Sequence, residues 1–564
     1  MEVVSKKRRS KIGLKRELGF YELLVIGVAG ALGNGALFGT VQMVSGAGPG
    51  AIFGFVFGAF IYGLITMTYI EMAKVYPEAG GPTRYSIYTH GRWTNLINSM
   101  ADLLWYLFIP PIEVVAIISG LDYFYHGMFL TSSGFPTTVG VLVGTALMLT
   151  FVPINYFGIK EFGRATNVVG IVKLVFYIAM VLGFIAFVAN FKNFSAYGVL
   201  PYKAVSILGI MPLVMYDFGA TRVIPDLAEE TKHRNDIGKA MIFTVIIESL
   251  IYIGVGFAVV FGIHWSKIGI TPGNFAGLTS AGSKLVGNNP FFVFAHASGI
   301  TWIFIAALVT GILAPYVTGY IYVGSGTRVL FAVGRSGFIH KSLKRIEAKH
   351  AIPLISLIVF AVVGSIIVLV TAPDPTIFTF IDDASAAGYL GLVVNPISLM
   401  VTRRQGLVPN HLRVKGMKVF APLAVGLSAL IPFWAGFPSE PYAVLLMLVG
   451  TVIIGILSKV KIGAKNVIWY VIFILFETVM VFIGSDGFTG KVFGASIGSL
   501  VPFTWATLIV LVVSMAVFYP WGVLSGFKQQ FKHPDFTNDV LSSNKLAMDA
   551  DPLKSEVAFN RGQE

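Results

Sequence analysis

The chain predicts an all-α polytopic membrane fold of about fourteen transmembrane helices. Its core is read as two five-helix halves in inverted repeat, with helices 1 and 6 broken. Three observations carry this reading. Residues 20–44, FYELLVIGVAGALGNGALFGTVQMV, are apolar enough to span a bilayer yet contain Gly27, Gly30, Gly33, Gly35 and Gly39. Each interior glycine costs a helix roughly 1 kcal/mol relative to alanine, so the spacing predicts unwinding from Gly30 to Gly35. Unwound backbone persists in hydrocarbon only where it is buried in protein or lines a polar cavity. Residues 208–230, LGIMPLVMYDFGATRVIPDLAEE, form a second interrupted span about five segments later. Paired breaks in corresponding positions of two halves mark a binding site between them. Finally, 55% of residues are hydrophobic and 12% charged, far below the ~25% charge of soluble domains.

Taken in order, fourteen apolar segments centre near residues 32, 62, 107, 147, 176, 215, 250, 316, 362, 390, 427, 449, 475 and 511. Segments 1 to 5 and 6 to 10 form the candidate halves, because an odd number of spans per repeat inverts the second copy. The boundaries follow: 1–19 a basic cytoplasmic N-terminus, 20–401 the ten-helix core, 402–524 four additional transmembrane helices, and 525–564 a polar cytoplasmic tail. Gly46, Gly50, Gly54 and Gly58 recur every four residues around the second segment, a row that lets a neighbouring helix approach closely. The connection over residues 264–298 is Gly-rich and reads as a cap or a short surface helix. Segments 11 to 14 carry few polar residues, which fits scaffold or oligomer contact.

The net charge of +13 suggests nucleic acid until its placement is read. Only Lys192, Lys203, Lys267, Lys284 and Lys491 fall in connections on the far side from the N-terminus, and Lys173 falls within a span. Every other Lys and Arg is on the N-terminal side, as the positive-inside rule requires. The basic surplus is therefore topology, with no nucleic-acid partner. An even number of spans places both termini in the cytoplasm of a multi-pass plasma-membrane protein, with the lipid bilayer as its surroundings. There is no cysteine, which excludes disulfides and thiolate metal sites. No metal-spaced histidine set, nucleophile motif or nucleotide-binding loop is present. GVAGALGNG lacks the preceding strand that a dinucleotide turn needs. No enzyme, cofactor or metal is expected.

The ordered motifs resemble the amino acid–polyamine–organocation permeases. ALGNGALFG, with Gly33, Asn34 and Gly35, is similar to the family's broken first helix. YIEMAKVYPEAGGPTRYS resembles its acidic-Pro-Gly-Gly signature through Glu71, Pro77, Gly80, Gly81 and Pro82. FGATRVIPDLAEETKHRNDIGKA, with Gly219, resembles its sixth segment, and SGTRVLFAVGRSGFIHKSLKRI its eighth. One departure is plain: Ala220, Thr221 and Arg222 stand where many members have an aromatic and then a glutamate. An aromatic gate over the substrate would then come from Phe218 or Tyr216. The resemblance implies a secondary active transporter of amino acids or amines that works by alternating access. It also implies that main chain around Gly33–Gly35 holds a substrate carboxylate and main chain around Tyr216–Gly219 helps hold the amine. Freed N–H groups at a half-helix start suit the former and freed carbonyls the latter; Gly30 and Asn34 belong to the same cradle.

Charged residues at membrane depth are functional candidates by default. Lys173 lies about ten residues into its segment, roughly 15 Å deep, and by the resemblance would occupy the sodium position as a protonatable substitute. Proton coupling, a charged strut and a snorkelling lysine all fit it. Glu113 follows Pro110-Pro111 at mid-membrane and fits either the acid of a side-chain pocket or a protonated structural carboxyl. Asp217 could accept a substrate amine, pair with Arg222 or help cycle a proton. Glu248, Glu477, Asp382 and Asp383 complete the set, while Glu71 belongs to a gating or topology motif. Proton symport leads, with sodium symport and amino acid or polyamine exchange as alternatives. A channel or sensor on the same fold would bind without flux.

Overall fold

The computed structural model describes residues 13–529 apart from residues 133, 281, 286–287, 372–385, 459, 461–463 and 485–498. Asp382, Asp383, Lys491, residues 1–12 and the tail beyond residue 529 lie outside the described residues. The fold is helical throughout: among the described residues the only β pairing is isolated bridges such as Leu18 with Thr231 and Ala79 with Leu227. Ten helices there are long and apolar enough to cross a membrane. Shorter apolar helices at Phe20–Ala31, Leu354–Val370 and Ile468–Gly484 accompany them.

The first span is α1 (Phe20–Ala31), a short non-helical link, a π-helical stretch Gly35–Gly39, and α2 (Thr40–Ala47). The expected break is therefore narrower than the glycine run. Gly30 stays helical, and the interruption falls at Leu32–Gly33, where Leu32 adopts φ −82° and ψ 61°. The glycine row then beds the sixth span. Cβ atoms at Gly46 and Gly54 would meet Ile210 at 3.0 and 2.9 Å, and one at Gly50 would meet Leu200 at 2.7 Å. Only Gly54 and Gly58 of the four lie within α3 (Ala51–Val75).

A short α4 (Gly81–Thr89) leads into α5 (Arg92–Asp122), which runs unbroken through Pro110 and Pro111. α6 (Thr138–Tyr156) and α7 (Ile159–Gly183) follow. The sixth span is α8 (Val205–Asp217), a 3₁₀ stretch Phe218–Arg222 and α9 (Val223–Asp226). It tightens where unwinding was expected, a common way to rearrange backbone bonds without opening the chain. α10 (Arg234–Gly262), α11 (Pro290–Ser298) and α12 (Thr301–Arg335) come next, then α13 (Leu354–Thr371). The segment near residue 390 is two pieces, α14 (Ala387–Gly391) and α15 (Val394–Arg404). The remainder is α16 (Met417–Ala435), α17 (Ser439–Leu457), α18 (Ile468–Gly484), α19 (Phe503–Val513) and α20 (Tyr519–Ser525).

Packing centres on α12 against α5, α10 against α3, and α1 against α7, α10 and α12. One end of this bundle is sealed. Main-chain bonds join Leu18 to Glu230 and Lys232, at 3.0 and 2.8 Å. Arg328 in α12 grips Glu230 through two 2.8 Å bonds, both side chains at most 3% exposed. Arg335 holds Glu229 at 2.5 and 2.9 Å, and Arg84 holds Glu78 at 2.6 Å. Gly80, at φ +63°, lets its chain lie on the Arg328 carbonyl, 2.6 Å from where a Cβ would sit. At roughly 1.5 Å per residue, α10 spans the bundle from this seal and puts the 263–300 connection at the opposite end.

Truncating one partner of a buried ion pair leaves the other uncompensated, at a cost of about 3–5 kcal/mol. Arg328→Ala is expected to lower the unfolding midpoint in detergent correspondingly, and an unchanged midpoint would show the pair to be marginal. Burial alone would push the Glu229 carboxyl up, but the Arg335 guanidinium and the Ala79 N–H hold it below the ordinary 4.5. A depressed folded value stabilises above the ordinary value and fades as pH falls through the folded one. The stability gap between wild type and Arg335→Gln should therefore be widest near neutral pH and shrink on acidification, as thermal unfolding across a pH series would read.

Candidate binding cavity

The break in the first span leaves backbone groups that side chains from three other helices satisfy. Lys173 in α7 donates from Nζ to the Ala29 carbonyl at 2.6 Å, and to the Ala314 carbonyl and Thr318 Oγ1 in α12 at 2.9 and 3.0 Å. Tyr252 in α10 donates its hydroxyl to the Ala31 carbonyl at 2.8 Å and the Asp217 carbonyl at 2.7 Å, tying the two irregular spans together. The Asn34 N–H donates to the Glu113 carboxylate at 2.9 and 3.2 Å. Lys173 is 0% and Glu113 1% exposed. Snorkelling of Lys173 is thereby excluded.

Gly33 and Gly35 are required by close approach. A Cβ on Gly33 would run into the Glu113 carboxylate. One on Gly35 would collide with Asp217 Oδ1 and sit 3.0 Å from the Tyr216 ring. The break thus lies between two carboxyl groups, one from the third span and one from the sixth. Neither Asp217 oxygen has a hydrogen-bond partner among the described residues, and neither does Asn34 Oδ1.

Of the three roles open to Asp217, the pairing with Arg222 does not form. Arg222 bonds Asp102 in α5 instead, with the Gly388 carbonyl at 3.4 Å, because the 3₁₀ stretch turns it away toward α5. Trp105 packs under Gly219 and Gly388 and stands 5.9 Å from the Arg222 guanidinium. Its ring centroid lies 5.5 Å from that of Tyr216 and 5.3 Å from that of Tyr389. Glu248 accepts a 3.0 Å bond from Thr221 Oγ1, fastening α10 to the 3₁₀ stretch. Glu71 is bonded by Arg403 and the Val414 N–H, a closure at the sealed end.

Over the break lies a cavity of about 640 Å³. Asn34, Gly35 and Tyr216 line its depth; Ile112, Val115, Ala116, Leu213 and Tyr389 form its flanks. Thr279, Leu285, Asn288 and Pro290 of the 263–300 connection line it at the unsealed end. That connection is folded down as a cap, with Ser45 Oγ 2.9 Å from Thr279 Oγ1. Of the residues singled out in the sequence, Asn34, Gly35 and Tyr216 line the cavity, with Gly33, Glu113 and Asp217 packed directly behind. Lys173 and Gly30 lie deeper, at the carbonyl side of the break. Phe218 is turned away, fully buried between Tyr62 and Tyr252 at centroid distances of 6.0 and 5.2 Å. Gly219 is covered by Trp105. Sequence reasoning missed Tyr252, whose two carbonyl partners are distant in the chain, and Trp105, Tyr389 and Trp434, whose position depends on tertiary packing.

Comparison with known proteins identifies the family. The glutamate/serine transporter AimA of Bacillus subtilis is 24% identical over 535 residues, covering 92% of this chain and 95% of that protein. The aspartate-proton symporter of the same organism is 25% identical over 528 residues, 91% of this chain and 97% of that protein. The branched-chain amino acid permease BcaP is 24% identical over 465 residues, 79% and 94% respectively. The amino acid permease family model matches residues 18–457, which takes in both irregular spans, the sealed end and the cavity. This chain belongs to the amino acid permease family.

Proposed function

We propose that the protein is a proton-coupled amino acid symporter of the plasma membrane, here with its cavity open to the outside. The observation that carries this is a cavity reached from the end opposite the sealed one, with the interrupted first span between them. In this reading the fourteen segments all cross the membrane, residues 20–401 are the inverted-repeat core, and both termini lie with the sealed end in the cytoplasm. Residues 402–524 add four helices. A substrate carboxylate meets the N-terminal, positive end of the helical run from Gly35 to Ala47. Its ammonium meets Asn34 Oδ1 and the Asp217 carboxyl, whose oxygens have no hydrogen-bond partner among the described residues.

Proton coupling is assigned to Lys173, with Glu113 across the break. An ammonium in a dry interior is tolerable only with several acceptors, and Lys173 has three. Loss of its proton removes what holds the Ala29 carbonyl to α7 and α12, which frees α1 to move. Three oxygens already engaged by an amine leave little for sodium, so sodium symport is second, and exchange without a coupling ion is third. The relative named an aspartate-proton symporter supports the choice of ion.

Gly33→Leu and Gly35→Val are expected to insert and fold but to lose amino acid uptake at least about tenfold, since each drives a side chain into a carboxyl group. Normal uptake in proteoliposomes would remove the break from the site. Lys173→Ala is expected to abolish the dependence of uptake on an inward proton gradient while leaving counterflow of preloaded amino acid. An unchanged pH profile would make Lys173 a strut, and accumulation driven only by sodium would overturn the coupling assignment.

A further inference from the structure

The charges around the cavity restrict what it accepts. Among the described residues, none that lines it is acidic or basic. An acidic substrate brings a second carboxylate, and a buried unpaired ion costs several kcal/mol. The two nearest interior cations are unavailable to it. Arg222 is bonded to Asp102 and screened from the cavity by Trp105. Lys173 is held behind α1 by its three acceptors. Glu113 and Asp217, packed behind Gly33 and Gly35, add repulsion against any second negative charge. A basic side chain fares no better at the flank, where it meets Ile112, Val115, Ala116 and Leu213 with no acid among them.

That flank is completed from outside the ten-helix core. Trp434 and Ala435 at the end of α16, and Ser439 at the start of α17, line the cavity. The Trp434 indole N–H donates to Thr507 Oγ1 in α19 at 3.3 Å, and its ring stands 6.4 Å from Phe57 of α3. The indole is thus pinned between the first and last parts of the chain, with one apolar edge on the cavity.

We infer that the protein carries neutral amino acids, and that Trp434 is a specificity-determining residue against which their side chains pack. The inference rests on the cavity being the substrate site. It departs from the glutamate and aspartate in the names of two relatives, because no cation lines the cavity among the described residues.

The test is initial uptake into proteoliposomes of labelled leucine, phenylalanine, serine, glutamate, aspartate, lysine and arginine, by wild type and Trp434→Ala. Wild type is expected to favour the first three over the charged four by at least about tenfold in kcat/KM, as pocket contacts of this size allow. Glutamate, aspartate, lysine or arginine matching them would overturn the neutral assignment. Trp434→Ala is expected to raise KM for phenylalanine and leucine about tenfold while serine changes less than about threefold. An equal change for all three would make Trp434 a structural residue only. Should Trp434→Ala fail to fold, Trp434→Phe is expected to shift the phenylalanine-to-serine ratio in the same direction by a smaller factor, and an unshifted ratio overturns the assignment. Uptake of none of the seven by folded wild type would instead overturn the permease reading of the cavity.

Discussion

A helix interrupted within hydrocarbon cannot leave its backbone groups unpaired, and the rest of this structure follows from how that demand is met. A buried donor or acceptor without a partner costs about 1–3 kcal/mol. Here Lys173 takes the Ala29 carbonyl, Tyr252 the Ala31 carbonyl, and Glu113 the Asn34 N–H. The three come from α7, α10 and α5, so the first span is fastened to three helices at one level. Glu113 can reach the Asn34 N–H only because Gly33 has no side chain, and Asp217 can lie against the same span only because Gly35 has none. Two glycines and two carboxyl groups are in this sense one feature.

The same economy of partners distinguishes the two ends. At the sealed end the buried charges are paired: Glu230 with Arg328, Glu229 with Arg335, Glu78 with Arg84, Glu71 with Arg403. Two of these pairs join segment 6 to segment 8, and one joins segment 2 to segment 10. Opening that end would hydrate both members of each pair together, which recovers much of the lost attraction as solvation. At the cavity neither Glu113 nor Asp217 has an ion-pair partner among the described residues, and the described residues lining the space above them are uncharged. A seal of ion pairs that water can replace, facing a site that water can enter, is the physical content of alternating access on the proposed reading.

Much of the helical architecture was legible because hydrophobic length is set by the bilayer. The glycine run located the first break to within a few residues, and the Asn-Gly neighbourhood of Gly33, Asn34 and Gly35 located the floor of the cavity. Residue-level chemistry was harder to read. Asp217 and Arg222 are five apart and looked like partners, yet the 3₁₀ stretch rotates Arg222 onto Asp102, more than a hundred residues earlier. Phe218 and Tyr216 looked interchangeable as aromatic gates, but their two-residue spacing places them on different sides of the span. Segments 11 to 14 read as scaffold because few of their residues are polar. Their contribution to the cavity is one indole edge and its neighbours, which carry no sequence signal.

The balance of charge around the two irregular spans gives the last step. Glu113, Asp217 and Glu248 lie there with Lys173 as the nearest cation that is not already held by a carboxylate in a close pair. Were all four ionised, three carboxylates and one ammonium would leave two negative charges uncompensated beside the break, at a cost of many kcal/mol. A zwitterion entering the cavity brings an ammonium toward Asp217 and a carboxylate toward the N-terminal end of the run from Gly35. It thereby changes which of these groups can afford to be charged. Coupling then needs no separate ion site: the proton balance of the break and the charge pattern of the substrate are solved together, by groups that also hold the first span in place.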